Sequence, residues 1–118
     1  MLDGAARVKD LVRAVRADGQ PAVAITDHGV LYGVVDFYKA AVAEGVKPII
    51  GLEAYVTPGS RFDRPQRRDN IRYHSTILAE NEVGYRNLMK LASRAYSEGY
   101  YYKPRAVSYT HLRAHDTY

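Results

Sequence analysis

Cysteine is absent from this chain of 118 residues. Its absence excludes disulfide bonds and thiolate metal sites, and it agrees with a cytoplasmic location, where disulfides are rare. The sequence also lacks any apolar run close to the ~20 residues that a membrane-spanning helix needs. Because the first residues, MLDGAARVKD, do not resemble a signal peptide, we expect a cytoplasmic protein with no membrane partner.

Several motifs that define common enzyme classes are missing as well. The sequence has no P-loop, no GxGxxG turn and no arrangement that favours a Ser/His/Asp triad. Internal repeats, low-complexity tracts and interdomain linkers are also missing. With 47% apolar and 25% charged residues, the composition is that of a globular protein, and the length allows one domain at most.

The positive charge is concentrated in one segment. The net charge is +4, and residues 61–72 (RFDRPQRRDNIR) hold five arginines against two aspartates, a net +3. Such a segment could contact a phosphate backbone. A solvated irregular loop is the simpler alternative, because Gly59 and Pro65 lie near or within it. Composition leaves both interpretations open.

Hydrophobic spacing predicts helices and strands in alternation. The predicted helices lie at 5–18 before Gly19, from Val34 to Gly45, and between a capping Asn81 and a closing Gly99. Short apolar runs predict strands at 21–26, 47–56 and 73–80. This order is typical of an α/β fold with a parallel sheet and right-handed crossovers. Three strands cannot close a barrel, so we expect part of a larger fold.

Four residues with metal-binding side chains recur at similar intervals next to apolar runs. They are Asp3, His28, Glu53 and His74, separated by 25, 25 and 21 residues. A βα unit of a parallel sheet is about this long, and such sheets place their chemistry at the carboxyl ends of the strands. We therefore expect the last three side chains to share one pocket at that rim.

Taken singly, most of these residues have a simpler explanation. Asp3 is placed to cap a helix, His28 lies in a polar turn, and His74 suits the core or edge of a strand. Glu53 is harder to explain, because a carboxylate inside an apolar strand is costly unless it is paired or bound to a metal. Together, the imidazoles and carboxylates form a ligand set suited to zinc, manganese or iron. Asp27, beside His28, could hold the histidine ring in place.

Five stretches carry a resemblance to a known family: MLDGAARVKDLV, AITDHGVLYGVVDFYKAA, GVKPIIGLEAYV, AENEVGYRNLMKLAS and EGYYYKPR. They look like the amino-terminal PHP (polymerase and histidinol phosphatase) domain of bacterial DNA polymerase III alpha subunits. The resemblance covers residues 1 to about 105, and free-standing PHP phosphatases do not share GYRNLMKL or EGYYYKPR. It implies a distorted βα barrel with a trinuclear metal cluster at its rim. This chain would then hold a truncated part, about three parallel strands with crossover helices.

The resemblance also implies roles for individual residues. Asp3 of MLDG, His28 of TDHG, Glu53 of GLE and His74 of YHST occupy the family's metal-ligand positions, where zinc, manganese or iron would bind. The presence of His28 resembles the metal-competent members of the family. The family's His-x-His and Asp-x-His motifs are not found here, nor are the palm aspartates of the polymerase site, where the parent would use magnesium. We therefore expect the chain alone to be inactive.

The last residues depart from the family pattern. After KPR the family continues with an acidic residue and a helix, whereas residues 106–118 read AVSYTHLRAHDTY. Within them, His111 and His115 lack the glutamate of the zinc-protease motif and are weak ligand candidates. We expect a partial PHP domain at 1–105 and a foreign or disordered tail at 106–118 that takes no part in the site.

Three functions agree with the sequence. The leading one is a fragment of a replicative polymerase alpha subunit, with DNA and other replisome subunits as partners. Its PHP domain would either proofread by metal-dependent 3′–5′ hydrolysis or serve as a structural platform. The second is a free-standing PHP phosphoesterase acting on a small phosphate ester. The third is a PHP interaction module without catalysis.

Overall fold

A computed structural model describes residues 4–106 of the chain. In chain order the elements are α1 (Val8–Ala17), β1 (Ala22–His28), α2 (Val34–Ala43), β2 (Lys47–Val56), a 3-10 turn (Arg67–Asp69), β3 (Tyr73–Leu78), α3 (Glu82–Ser97), β4 (Tyr100–Tyr101) and β5 (Lys103–Ala106). The predicted α/β class is confirmed, and the strands β4 and β5 are additions to the prediction. None of the helices in this described part is long and apolar enough to cross a bilayer.

Glycines end the first two helices, as predicted. Gly19 and Gly45 have φ angles of 73° and 70°, a left-handed conformation that glycine adopts without steric cost. After α2, the Gly45 N–H donates to the Val42 carbonyl and the Val46 N–H donates to the Ala41 carbonyl. These two bonds form a Schellman motif, which satisfies carbonyl groups at the helix end.

The sheet is only partly parallel, so one feature of the predicted fold is wrong. Strand β1 pairs with β2 in parallel, whereas β3 pairs with β2 in the antiparallel direction. A parallel return needs a crossover, usually through a helix. The connection at 57–72 contains only the three-residue 3-10 turn, and the chain comes back alongside β2 in the opposite direction.

Strand β5 completes one edge of β2. Tyr55 and Val56 pair with Arg105 and Ala106 of β5 in parallel, and the same two residues pair with β3 on their other side. Because a strand has two edges, β5 lies on the β1 edge, just beyond the point where β1 ends. Ala106 is 2% exposed, while residues after it lie outside the described range. The proposed boundary after residue 105 therefore stays a prediction.

All three helices pack on the same face of the sheet. Alternate residues of β2, such as Leu52 and Ala54, contact the apolar side of α3. Ile50, on that same face of β2, packs against the cluster that α1 and α2 form around Phe37 and Val12. Successive side chains of a strand point to opposite faces, so Glu53 lies on the other face. In the described part of the chain, no helix covers that second face.

Candidate metal centre

Three of the predicted ligands come from three neighbouring strands. His28 is the last residue of β1, and its register partner on β2 is Glu53. Thr76 of β3 pairs with Glu53 on the opposite edge, and His74 lies two residues before Thr76. Because register partners and alternate residues share a face of a sheet, these residues project together from the face that the helices leave open.

The side chains of this trio are in contact. His28 Nδ1 lies 3.1 Å from Glu53 Oε1, and His74 Nδ1 lies 2.5 Å from that same oxygen. One ligand atom from each residue can be chosen so that all three lie within 4.8 Å of one another. The two imidazole rings have centroids 6.2 Å apart and meet edge to face. The structure therefore brings His28, Glu53 and His74 to one point.

The direction of β3 explains how His74 reaches this point. His74 is the second residue of β3, and the start of a parallel strand would lie at the opposite end of the sheet from the end of β1. Since β3 runs antiparallel to β2, its beginning lies beside the carboxyl end of β1. The antiparallel pairing thus places a residue from the start of one strand next to a residue from the end of another.

The trio combines a partly buried carboxylate with more exposed imidazoles. The Glu53 side chain is 19% exposed, against 41% for His28 and 55% for His74. Both Nδ1 atoms face Glu53 Oε1, so a neutral imidazole that donates its N–H there carries its proton on Nδ1. That tautomer leaves Nε2 with a lone pair. The contacts compensate the carboxylate for the water it has lost.

Two imidazole nitrogens and a carboxylate oxygen at this spacing fit a divalent metal ion. Nitrogen and oxygen donors of this kind suit zinc, manganese and iron, the metals expected from the sequence. Asp3, the fourth predicted ligand, lies outside the described residues, as do His111 and His115. Ligation by any of these residues stays a prediction.

The comparison with known families agrees with this donor set. The profile of the PHP domain matches residues 1–117. The chain belongs to the PHP domain family. The resemblance recognised in the sequence is therefore confirmed, and the trio lies in a PHP domain.

Relatives of this PHP chain carry the name DNA polymerase III subunit alpha. The protein of Treponema pallidum (strain Nichols) is 55% identical over 106 residues, and that of Thermus aquaticus is 55% identical over 109 residues. The protein of Aquifex aeolicus (strain VF5) is 50% identical over 111 residues. Each alignment covers 89% of this chain but only 9% or 10% of the relative. The chain thus spans about a tenth of the length of these relatives.

Asp27 of this PHP chain makes a contact away from the trio. Its Oδ2 accepts a hydrogen bond from the Gly33 N–H at 2.9 Å, just before α2. Alternation along β1 places Asp27 on the helix-covered face, opposite His28. The bond fixes the turn between β1 and α2, and the role of Asp27 in orienting His28 stays a prediction.

Tyr55 and Lys103 are neighbours of the trio that the sequence reasoning missed. The Tyr55 ring is 6% exposed, and its centroid lies 5.0 Å from that of His74 at an interplanar angle of 90°. Lys103 Nζ lies 6.0 Å from the Tyr55 ring centroid. The signal for Tyr55 was present, because it follows Glu53 by two positions and so shares its face of β2. Lys103 gave no such signal, since β5 itself was not predicted.

A close approach of the chain around Tyr55 depends on Gly29. This residue has φ 71°, and its N–H donates to the Glu53 carbonyl at 2.8 Å. A Cβ atom at this position would come within 2.7 Å of Pro104 Cγ and 2.9 Å of the Tyr55 ring. Glycine after His28 therefore allows β1 to end where β5 begins, which keeps Tyr55 packed beside the trio.

Proposed function

We propose that this chain is part of the PHP domain of a bacterial DNA polymerase III alpha subunit and that its trio binds divalent metal for phosphodiester hydrolysis. The observation that carries the proposal is the convergence of His28, Glu53 and His74 ligand atoms within 4.8 Å. Relatives with the polymerase name at 45–55% identity support the assignment of the parent. The chemistry proposed for the site is removal of nucleotides from a 3′ end of DNA.

Each residue of the site would have its own role in binding the metal ion. The Glu53 carboxylate supplies negative charge, the two neutral imidazoles supply nitrogen donors, and Asp3 supplies a second carboxylate from the sequence motif. A bound divalent ion lowers the pKa of water and neutralises charge on a phosphate oxygen. Tyr55 packs against His74 and limits the positions that this ring can take. Zinc, manganese and iron are the candidate ions, and magnesium would belong to the polymerase site elsewhere in the parent.

The proposal extends to the setting of the parent protein. A polymerase alpha subunit acts on DNA, so DNA and other replisome subunits are the proposed partners, and the cytoplasm of a bacterium is the proposed location. A free-standing phosphoesterase receives less support, because the named relatives match this chain through the segments that follow β3.

Metal binding tests the site directly. We expect the 118-residue chain to bind zinc in isothermal titration, and Glu53→Gln to weaken that binding by about tenfold or more, because the variant keeps the shape and loses the charged ligand. Thr76→Ala is the matched control, since Thr76 faces Glu53 across the strand pair without offering an imidazole or a carboxylate. Equal zinc affinity in the wild type and the Glu53→Gln variant would remove the proposed site.

A further inference from the structure

A basic and aromatic surface lies beside the trio on the same face of the sheet. It consists of the loop 57–72 and the segment 100–103, and we call it the loop surface. Arg105 of β5 pairs with Tyr55 of β2 in parallel register, so the two residues share a face. Arg105 in turn contacts the loop, which places the loop surface next to His28, Glu53 and His74.

Arg105 fixes the course of the loop. Its side chain is 1% exposed, and its guanidinium donates to three backbone carbonyls. Nε donates to Gly99 O at 3.1 Å, while Nη2 donates to Arg61 O at 3.0 Å and to Asp63 O at 2.5 Å. A planar guanidinium holds such a set of acceptors in a fixed arrangement. The loop is therefore shaped before any ligand arrives.

Further contacts hold the loop to the residue that follows α3 and to β4. The Tyr101 hydroxyl donates to the Pro65 carbonyl at 3.1 Å. Arg61 Nε donates to Glu98 Oε2 at 2.6 Å. The Arg64 guanidinium also donates to the carbonyls of Arg61, Asp63 and Glu98. These bonds fix the loop in place, and the side chains of Arg68 and Lys103 stay exposed.

The loop surface presents exposed positive charge. Arg64, Arg68 and Lys103 are exposed, and the Arg68 side chain reaches 80% exposure. Of the acidic groups nearby, Asp63 accepts from the Ser60 N–H, while Asp69 lies 3.5 Å from Arg68 Nε and offsets part of its charge. The arginines and the lysine still outnumber the two aspartates in this surface. A surface with this charge attracts phosphate groups.

Aromatic rings are interleaved with these cations. Phe62 is 57% exposed, Tyr100 is 52% exposed and Tyr102 is 62% exposed. The Tyr102 ring lies 4.7 Å from that of Tyr101, and the Arg64 guanidinium carbon lies 5.5 Å from the centre of the Tyr101 ring. Exposed rings flanked by cations are the arrangement by which proteins stack unpaired bases and follow the backbone of a single strand.

The backbone at Tyr102 is unusual for a residue with a side chain. Tyr102 has φ 63°, the one positive value among the described residues other than glycine. Glycine adopts this conformation easily, whereas other residues do so rarely. The turn between β4 and β5 therefore keeps an aromatic ring at its exposed apex, at the position where the fold would be best served by glycine.

We propose that the loop surface binds single-stranded DNA and leads its 3′ end toward the trio. Lys103 joins the two regions, because its Nζ lies 6.0 Å from the Tyr55 ring centroid, which lies 5.0 Å from His74. The exposed rings take the bases, and the exposed cations Arg68 and Lys103 take the phosphates. Binding of the strand by the loop surface does not depend on the proposed hydrolysis. The direction of the 3′ end toward the trio rests on that proposed function.

Two exposed positions allow a test that leaves the fold intact. We expect the 118-residue chain to bind a fluorescein-labelled oligo(dT) of about twelve nucleotides in an anisotropy titration with EDTA present. Tyr102→Gly removes a stacking ring at a conformation that suits glycine, and it should weaken binding by about fivefold or more. Lys103→Gln should lower the slope of log affinity against log salt by about 0.7, the value for one phosphate contact with a single strand.

Matched controls lie on other elements. Tyr38→Ala removes an exposed tyrosine of α2, and Lys9→Gln removes an exposed cation of α1. Both should leave the affinity and its salt slope unchanged, and circular dichroism should show the same fold in every variant. Undetectable binding, equal losses in the controls, or tighter binding of a duplex of the same length would overturn the proposal.

The trio provides the remaining comparison. Glu53→Gln should keep wild-type affinity for oligo(dT) in EDTA, because the strand is held by the loop surface. Loss of zinc binding with retained DNA binding would confirm two separate roles. If zinc binds but oligo(dT) does not, the loop surface proposal fails and the proposed metal site stands.

Discussion

Arg105 carries a full charge at a site with almost no access to water. Burial lowers the pKa of its guanidinium, and the nearby Arg64 lowers it further, whereas Asp63 raises it. Arginine nevertheless stays protonated, since its ordinary pKa lies far above neutral pH. The three carbonyl acceptors replace the lost water. They compensate for the cost of burying this charge, whereas an unpaired buried charge would destabilise the fold.

Removing this charge should unfold the loop side of the molecule more easily. Arg105→Met keeps much of the side-chain length and removes the three guanidinium bonds to the carbonyls of Gly99, Arg61 and Asp63. We expect a loss of about 2–4 kcal/mol in the free energy of unfolding, measured by urea denaturation. Arg68→Met should change it by less than about 0.5 kcal/mol, because its side chain is largely solvated. Equal effects would show that the buried bonds contribute little.

Glu53 and Arg105 differ in how well the neighbouring sequence predicts that they are important. Glu53 could be predicted as special, because a carboxylate interrupts an apolar strand. Arg105 follows a lysine and a proline in a polar-looking segment, and nothing local indicates burial. Two of its three acceptors, the carbonyls of Arg61 and Asp63, lie 44 and 42 positions earlier in the chain, so these contacts depend on how the loop 57–72 returns to β5.

At the scale of the elements, β2 is crowded at Gly51. This residue pairs with Thr26 of β1 and with Leu78 of β3. A Cβ atom there would lie 2.6 Å from Leu78 Cδ2, 2.9 Å from Thr26 Cγ2 and 2.9 Å from the Ile77 carbonyl oxygen. The glycine lets side chains from both neighbouring strands meet above β2, two residues before Glu53.

A methyl group at this position should disturb the sheet. We expect Gly51→Ala to lower the free energy of unfolding by about 1–3 kcal/mol, because the Ile77 carbonyl and Thr26 cannot both move away. Adding Leu78→Ala should restore part of the loss, since the Leu78 side chain is 54% exposed and makes the shortest contact. Thermal unfolding of the two single variants and the double variant gives the coupling.

Gly84 of α3 offers a control of opposite sign. A Cβ atom there would meet only Ala79 at 3.4 Å or more, and alanine favours a helix over glycine by about 0.5–1 kcal/mol. Gly84→Ala should therefore stabilise the chain. If Gly51→Ala stabilises the chain as Gly84→Ala should, the crowding seen at Gly51 has no effect on stability.

Helices and strands with clear spacing could be predicted, whereas strand direction could not. Asn81 accepts a bond from the Gly84 N–H at 3.0 Å, as the predicted cap requires, and Gly45 ends α2. The direction of β3 depends on a loop without periodicity, and the two-residue β4 is too short to produce a pattern. Such elements are set by tertiary contacts, here those of Tyr101 and Arg105.

At the scale of the whole molecule, the helices and the trio lie on opposite faces of the sheet. One face holds the apolar clusters of α1, α2 and α3, and the other holds His28, Glu53 and His74 beside the loop surface. Ligands from separate strands meet because strand ends share an edge. Sequence spacing could therefore single out the three residues, but their meeting depends on the antiparallel direction of β3, because a parallel β3 would place His74 at the opposite end of the sheet.

The number of ligands in the described region limits what the chain should do alone. Metal affinity and reactivity depend on the count of ligands and on the groups that hold them in place, and three side chains converge here. With manganese or zinc and a DNA carrying a 3′ single-stranded end, we expect the 118-residue chain to release no more nucleotide than its His28→Ala variant. In the complete polymerase subunit, His28→Ala should abolish 3′ release and leave DNA synthesis intact. If the 118-residue chain releases nucleotide and its His28→Ala variant does not, the described trio suffices for catalysis. If the complete subunit with His28→Ala releases nucleotide as before, the hydrolytic site lies elsewhere.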